Sequence, residues 1–518
     1  MVEGAPLVRA EQPTSLLDIV LRRTASDPST PLLLTISVDG SSETVLAYGE
    51  ILDRAWRLAA VLDEAGVGPG DRVGCYLSNS PSWVVVSLAV WLRGAAVGAV
   101  GTLLPGPEAS ALFELAEAKV VVALDGAADL AAGPSVIRVD EDGLVVGAAR
   151  GAEVAGPDGV VLPSPDALAL VIFTSGTTGK AKGITHTHGD IVAAARRVAA
   201  GYARTSDYRP DPAPAHLPPG VVFNPFGHMA GYSRLAFRMW IGRSTVILPR
   251  FTVLAAKSLL SRYPMDTLQL TPTMIHMLAT SEEELDLGAV KYVTSGTAPL
   301  SVDTRERFEQ RFGVPVMQAY GMTELGAVAQ ERYDDVVAGR RGPGSVGRLA
   351  AGVEVQIRHL DDDRPPGEGE ILVRTDEAST EFIGGAKVPV DEDGWFATGD
   401  VGRMDAGILY ITGRVQEKII VGGFNVYPAE VEDALRQSSL VDDAVVVGLP
   451  DERLGERPVA GVVWVAEPDE PALLEGLRAV LAAYKVPRST FPIAAVPLTP
   501  RDKVDRNYAL QLAKEALP

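Results

Sequence analysis

The sequence predicts an α/β protein in which a large layered N-terminal domain is followed by a small α+β C-terminal domain. Three observations carry that expectation. Segments with helical spacing alternate with short β-type apolar runs through the first part of the chain, which favours layered α/β architecture over a bundle or a sandwich. Gly/Pro turns punctuate the alternation, drawn from 52 glycines and 37 prolines with no G-X-Y period. A break after Gly407–Arg414 then sets off a tail with its own hairpin, helices and strands.

In chain order, Tyr48 to Ala65 carries apolar residues at helical spacing, and GVGPGDRVGCYLSNS is a turn leading into a strand around Val73 to Leu77. A helix over Ser82 to Leu92 and an apolar strand-like run over Lys119 to Leu124 follow. Ala203 to Gly220 holds five prolines and reads as an exposed connector between two halves of the large domain. After the break, EKIIVGGFNVYP has a hairpin pattern, and Pro428 opens a helix over Ala429 to Gln437. Strands are expected near Ala444 to Gly448 and Val459 to Val465, with a helix over Pro471 to Tyr484. The boundary is placed near Gln416, giving domains 1–416 and 417–518. No repeat at solenoid spacing is present.

Composition excludes several classes. The 518 residues carry 47 Lys+Arg against 67 Asp+Glu, a net charge of −20. Neither nucleic acid nor an anionic membrane surface is an expected partner of so acidic a chain. The single cysteine, Cys75, excludes a disulfide framework and a Cys-rich zinc module and fits a reducing cytoplasm. Met1 to Glu11 lacks the basic-then-apolar order of a signal peptide, and the apolar run Trp83 to Leu92 is too short for a membrane span. A cytoplasmic enzyme is the expectation.

The most informative segment is Thr174 to Gly183, TSGTTGKAKG, directly after the apolar run Ala167 to Phe173. Its four hydroxyl residues, three glycines and two lysines supply bare backbone N–H groups, hydroxyl donors and cations for a polyphosphate. Walker A is excluded, because the position five before Gly179 is Thr174 instead of glycine. A flexible Ser/Gly linker would have no reason to carry two lysines directly after a buried strand.

TSGTTGKAKG resembles the signature loop of the adenylate-forming superfamily: acyl-CoA synthetases, adenylation domains of peptide synthetases, and luciferases. The family usually has proline where this chain has Ala181. Further motifs follow in the family's order: Asn224-Pro225-Phe226-Gly227-His228, Ser295 to Leu300 (SGTAPL), Tyr320 to Glu324 (YGMTE), Thr398-Gly399-Asp400, Gly413-Arg414, Gly422 to Glu432 (GGFNVYPAEVE) and Pro497 to Arg506 (PLTPRDKVDR). The resemblance covers nearly the whole chain. It implies a large N-terminal layered α/β domain with distorted sheets and a small, mobile α+β C-terminal domain.

The implied activity is attack of a carboxylate on the α-phosphate of ATP, aided by Mg2+, giving an acyl-adenylate and pyrophosphate. By resemblance, Thr174, Ser175, Gly176, Thr177, Thr178 and Lys182 cradle the leaving phosphates. Gly296, Thr297 and Ala298 line the nucleotide, and Tyr320 stacks on adenine. Asp400 takes the ribose hydroxyls, since a carboxylate accepts two hydrogen bonds at once, and Arg414 makes a second ribose or phosphate contact. Thr323 matches the α-phosphate contact, Glu324 the magnesium ligand and Lys503 the lysine of adenylation. Taken alone, each has a plainer reading: a core tyrosine, a solvated glutamate, a surface lysine. Lys503 sits in a local basic cluster with Lys485, Arg488, Arg501 and Arg506, but Asp502 precedes it where the family has glycine. The family's hinge falls at Gln416, where Asp or Lys is more usual. Gly422-Gly423 resembles the wall of a pantetheine tunnel.

For the substrate, His228 matches a gate over the carboxylate, although a lone histidine in an apolar stretch is commonly a core residue. Phe223, Phe226, Met229, Tyr232, Thr297 and Met322 make an apolar pocket suited to an aryl or alkyl carboxylate. Thr297 stands where Gly or Ala is more usual. FNPFGHMAGY has no aspartate to hold an α-amino group, which disfavours an amino acid. Asn224 reads equally as a ring-substituent contact or a turn former. Coenzyme A is the first acceptor; an amine, as in standalone amide-forming relatives, or a carrier protein is the alternative. A catalytically silent nucleotide-binding scaffold is the other class of reading, against which intact Lys182, Glu324, Asp400 and Lys503 argue. Assembly as a homodimer stays open.

Overall fold

A computed structural model describes residues 13–127, 130, 133–146, 161–175, 181–205, 219–360, 366–375, 381–421, 424–451, 453–499 and 503–517. The chain forms two compact units, Met1–Met265 with Ser379–Val388, and Asp266–Ala378 with Pro389–Pro518. Both mix helices and sheets, as the alternation implies. No helix among the described residues is long and apolar enough to cross a membrane.

The first unit is built on a six-stranded sheet in the order Ser135–Val139, Val120–Leu124, Arg72–Leu77, Ala96–Gly101, Leu168–Ser175, Ala181–Thr187. The first five run parallel and the last is antiparallel. The central strands are apolar on both faces because parallel strands are covered on both sides. One cover is the helix Ser82–Leu92, buried all round, whose Trp91 indole donates to the Ala169 carbonyl at 3.0 Å. On that helix packs a second one, Tyr48–Glu64, entered where the Ala47 N–H donates to the Glu50 carboxylate at 2.8 Å. Its buried stripe of Ile51, Ala55, Leu58 and Leu62 follows the 3.6-residue period that the sequence displays. Cys75 lies fully buried in a parallel strand, where burial pushes its thiol pKa up and leaves it inert. A second, four-stranded sheet orders Glu43–Ala47, Pro31–Ile36, Thr245–Ile247, Gly220–Val222. Of the proline-rich connector, residues 206–218 lie outside those described, between the helix His188–Thr205 and the strand Gly220–Val222.

The second unit holds a nine-stranded sheet running Thr267–Leu270, Tyr292–Ser295, Val316–Met322, Gly326–Gln330, Ser345–Leu349, Ile408–Arg414, Phe396–Asp405, Glu368–Thr375, Val353–Arg358. It also holds a five-stranded sheet that begins at Ile419, just past Gln416. In its long strand Val441–Asp451 the side chains alternate: Ala444 and Val446 join one core beneath the helices Pro428–Arg436 and Glu470–Arg478. Val445, Val447 and Leu449 join another, beneath the final helix Arg506–Ala516. Both faces are covered, which is why the strand reads as an unbroken apolar run. The expected helix over Pro471 to Tyr484 is shorter, ending at Arg478. After Gly476 its bonds tighten, with Ala479 N–H donating to Gly476 O at 3.2 Å and Val480 N–H to Leu477 O at 3.1 Å.

Glu432, on the helix Pro428–Arg436, is a carboxylate buried to 4% exposure. It accepts from Val446 N–H at 2.8 Å and from the Arg506 guanidinium. Burial pushes its pKa up, but Arg506 and Arg436 outweigh that and hold it below 4.5. Its contribution to stability is therefore full above the unfolded value and lost as pH falls through the depressed folded value. Glu432→Ala, which leaves Arg506 with Glu417 as its one remaining carboxylate partner, is expected to cost about 3 kcal/mol at neutral pH, the lower end for a broken buried pair. Denaturation below pH 4 should narrow the gap between variant and parent; a gap independent of pH would contradict the pairing.

Candidate active site

The segment Thr174 to Gly183 begins and ends in two paired strands. Strands Leu168–Ser175 and Ala181–Thr187 pair antiparallel, with Thr174 opposite Lys182 and Ser175 opposite Ala181. Among the described residues a second strand, not a helix, follows the loop. Gly176, Thr177 and Thr178 lie outside the described residues. The Lys182 ammonium stands over the Phe382 ring, 5.0 Å from its centre. Gly183 cannot be replaced freely: a Cβ there would lie 2.7 Å from Ile383 and 2.9 Å from Val171. The Ile383 N–H donates to the Gly183 carbonyl at 2.7 Å, tying the strand to 381–387. Ala181 lies in the edge strand of this sheet, a position where proline is also tolerated.

In the same unit, Asn224 to His228 forms a turn clamped by a residue the motifs do not flag. Asn79 accepts from Phe226 N–H at 3.1 Å and donates to Leu248 O at 3.2 Å. Gly227 and Gly231 allow the turn to lie against backbone; a Cβ would come within 2.8 Å of Gly101 N and 2.4 Å of Pro225 O. His228, half-buried, starts the helix Met229–Ile241. Phe226 and Tyr232, expected to line the pocket, are each 1% exposed and meet Trp83 edge-on in the core. The Tyr232 hydroxyl is spent on Ser87 at 2.5 Å. They shape this region from behind, because an aromatic buried on all sides has no face left for a ligand. Met229 packs on the same core. Phe223 pairs edge-on with Phe251 at 5.2 Å, and Asn224 is buried beside it.

The second unit brings together residues far apart in the chain. Tyr320 lies two residues before the end of the strand Val316–Met322, whose partner, Gly326–Gln330, is reached through the turn Thr323-Glu324-Leu325. Gly321 is obligatory in this hairpin, since a Cβ would lie 2.3 Å from Gly326 O. The Tyr320 hydroxyl donates to Asp400 Oδ2 at 2.7 Å, and Arg414 Nε donates to Asp400 Oδ1 at 2.7 Å. Burial, then the Asp400 charge and hydrogen bond, push the Tyr320 pKa well up, so it remains a neutral donor. Burial alone would lower the Arg414 pKa; Asp400 reverses this and raises it. Thr398 Oγ1 donates to Ile371 O at 2.8 Å and accepts from Asp400 N–H at 3.0 Å, and Gly399 takes φ +72° between them. The result is a carboxylate, an aromatic ring and a guanidinium held at one spot, a set suited to a nucleoside. Thr297 stands at φ +75°, where a β-branched residue is strained, while Gly296 lies against Ala319 O.

The family model described as AMP-binding enzyme matches residues 23–381, and that for its C-terminal domain matches residues 430–503. The chain belongs to the AMP-binding enzyme family. It is 32% identical to a methyl-dioxo-octahydro-indenyl-propanoyl:CoA ligase of Mycobacterium tuberculosis, over 89% of this chain and 93% of that one. Among solved structures it resembles ATP-bound MatB from Rhodopseudomonas palustris, with TM-score 0.80 and 26% identity, covering 97% of this chain and 99% of that one. It also resembles the amide bond synthetase McbA from Marinactinospora thermotolerans, with TM-score 0.78 and 26% identity, covering 96% and 99%.

No group of three or more His, Cys, Asp or Glu that could hold a metal ion occurs among the described residues. Glu324 is half-buried in its turn, and among the described residues its carboxylate has no partner. A single hard oxygen donor of this kind fits Mg2+, which keeps water and phosphate oxygens for the rest of its shell. Gly422 and Gly423 lie outside the described residues. Of the basic cluster near Lys503, Lys485 is paired with Glu430 at 2.6 Å and Arg506 with Glu417 at 2.9 Å, while Lys503 is exposed. Sequence reasoning missed Asn79 and Glu331. Glu331 accepts from Gln318 N–H at 2.9 Å and so fixes the strand that carries Tyr320; burial raises its pKa. Neither belongs to a motif, and only the neighbours supplied by folding single them out.

The strain at Thr297 is testable. Left-handed backbone costs an L-residue about 1–2 kcal/mol, against about 0.5–1 kcal/mol for the extra entropy of glycine in the unfolded chain. Thr297→Gly should therefore leave the melting temperature unchanged or raised. A clear fall would show that the threonine side chain stabilises the turn.

Proposed function

We propose that this AMP-binding enzyme activates an apolar aryl or alkyl carboxylic acid with ATP and Mg2+ and passes the acyl group to coenzyme A. The observation that carries it is the Tyr320–Asp400–Arg414 set, a nucleoside-binding chemistry in a chain of this family. In the first half-reaction a carboxylate oxygen attacks the α-phosphorus, the bond to the β-phosphate bridging oxygen breaks, and pyrophosphate leaves. Asp400 holds the ribose hydroxyls, Tyr320 offers its face to adenine, and Thr323 meets the α-phosphate. Lys182 and the hairpin hydroxyls neutralise the leaving phosphates. Glu324 would hold Mg2+, which would supply charge neutralisation for the phosphates.

Lys503 then serves the transition state of this step. A cation about 4 Å from developing phosphate charge contributes about 4 kcal/mol at an effective dielectric of 20. In the second half-reaction a thiol sulfur attacks the acyl carbon and AMP leaves, with the module 417–518 swivelled about Gln416 and Lys503 withdrawn. Coenzyme A as acceptor is supported by the relative named as a CoA ligase. The likeness to McbA keeps an amine as a second acceptor. Phe223 with Phe251 favours an apolar acid body, and His228 stands as the gate over its carboxylate.

Mass spectrometry of products from a panel of aryl and fatty acids, with ATP and Mg2+ and with or without coenzyme A, tests the reading. Acyl-CoA is expected. Acyl-AMP with coenzyme A untouched would move the acceptor to an amine or a carrier, and no acyl-AMP from any acid would sink the reading. Lys503→Ala should slow adenylation on the order of a hundred- to a thousand-fold while sparing turnover of supplied acyl-adenylate. Equal loss in both would refute the division of labour.

A further inference from the structure

Two ion pairs bracket the proposed hinge so closely that only Val415 and Gln416 lie between them. On one side Arg414, the last residue of its strand, is held to Asp400 at 2.7 Å. On the other Glu417, the last residue of the 3-10 turn Val415–Glu417, is held to Arg506 Nε at 2.9 Å. Arg506 is anchored further, since its other nitrogens bond Glu432 and the Val446 carbonyl at 3.1 Å. Its side chain is 22% exposed; burial alone would lower its pKa, but the two carboxylates raise it.

Arg506 opens the final helix, and Lys503 lies just before it in a segment tied to that helix start. Leu498 bridges Val504, Lys503 N–H bonds Thr499 Oγ1 at 3.3 Å, and Asp505 N–H bonds Pro497 O at 2.8 Å. A short path of bonded groups therefore runs from Glu417 through Arg506 to the lysine. Gln416 itself carries no charge, and the next residue, Glu417, carries one that is engaged by Arg506.

We propose that Glu417 is a positioning residue for Lys503: its pair with Arg506, opposed by Arg414 with Asp400, confines the swivel to Val415–Gln416 and carries it to the lysine without slack. This rests on the two-step reading above. Without the pair, the residues following Gln416 can absorb part of the rotation, and a lysine misplaced by as little as 1 Å loses rate steeply.

The test compares the parent with Glu417→Gln, which keeps the shape and removes the charge, and Glu417→Asp, which keeps the charge. Pyrophosphate release on adenylation and consumption of supplied acyl-AMP with coenzyme A are measured separately, along with amide hydrogen exchange over 415–421. Glu417→Gln should lower kcat of adenylation about five- to thirty-fold, the factor for 1–2 kcal/mol, with KM for ATP within about twofold. Its acyl-AMP consumption should stay within about twofold of the parent, its 415–421 amides should exchange faster, and Glu417→Asp should restore most of the rate. Equal loss in both half-reactions, or parental rates with unchanged exchange, would overturn the proposal. If the parent transfers to an amine instead of coenzyme A, the acceptor reading fails alone, while adenylation kinetics and exchange still judge Glu417. If the parent forms no acyl-AMP, the two-step reading fails and unchanged exchange in Glu417→Gln would remove the clamp as well.

Discussion

The carboxylate of Asp400 is 7% exposed and could not remain charged there without partners. It has two, one on each oxygen: the Tyr320 hydroxyl and the Arg414 guanidinium. Asp400 and Arg414 face each other across an antiparallel pair, so the register of that pair and the ion pair enforce one another. Tyr320 comes from a different strand of the same nine-stranded sheet, and its reach to Asp400 requires the tight hairpin that Gly321 permits. Pairing this one buried charge therefore sets the position of an aromatic ring, a guanidinium and the last fixed residue before Val415.

The same constraint recurs at Glu432, Glu331 and Arg506. Each is a buried or half-buried charge whose partners come from other elements. Glu331 fixes the strand of Tyr320 through Gln318, and Glu432 fixes Arg506 at the start of the last helix. A charge withdrawn from water is costly unless paired, so these contacts hold local geometry more strictly than apolar packing, which tolerates sliding. The strand pair Leu168–Ser175 with Ala181–Thr187 is held differently. Its anchor is Gly183, where backbone meets the side chains of Ile383 and Val171 with no room for a Cβ.

Much of this was legible from residue order. The helix over Tyr48–Glu64, the buried helix Ser82–Leu92 and the hairpin of Ile419–Val421 with Phe424–Val426 depend on local period and turn residues. The motifs carried the family, because ordered short patterns survive where overall identity is only 32%. Phe226 and Tyr232 were not legible: an aromatic beside a motif reads alike whether it faces a ligand or a tryptophan in the core. The over-long helix from Pro471 shows the same limit, since Ala479 to Tyr484 has good helical composition and only the tightened turn after Gly476 ends it.

By itself, then, the sequence determined the α/β class, the family and the residue types available for nucleotide chemistry, since those depend on neighbours in the chain. Tertiary structure alone decided which charges meet. Tyr320 finds Asp400 80 residues away, and Arg506 finds Glu417 89 residues away. No local propensity chooses a partner across such a span; the path of the chain does, and the desolvation of each buried charge makes the choice binding.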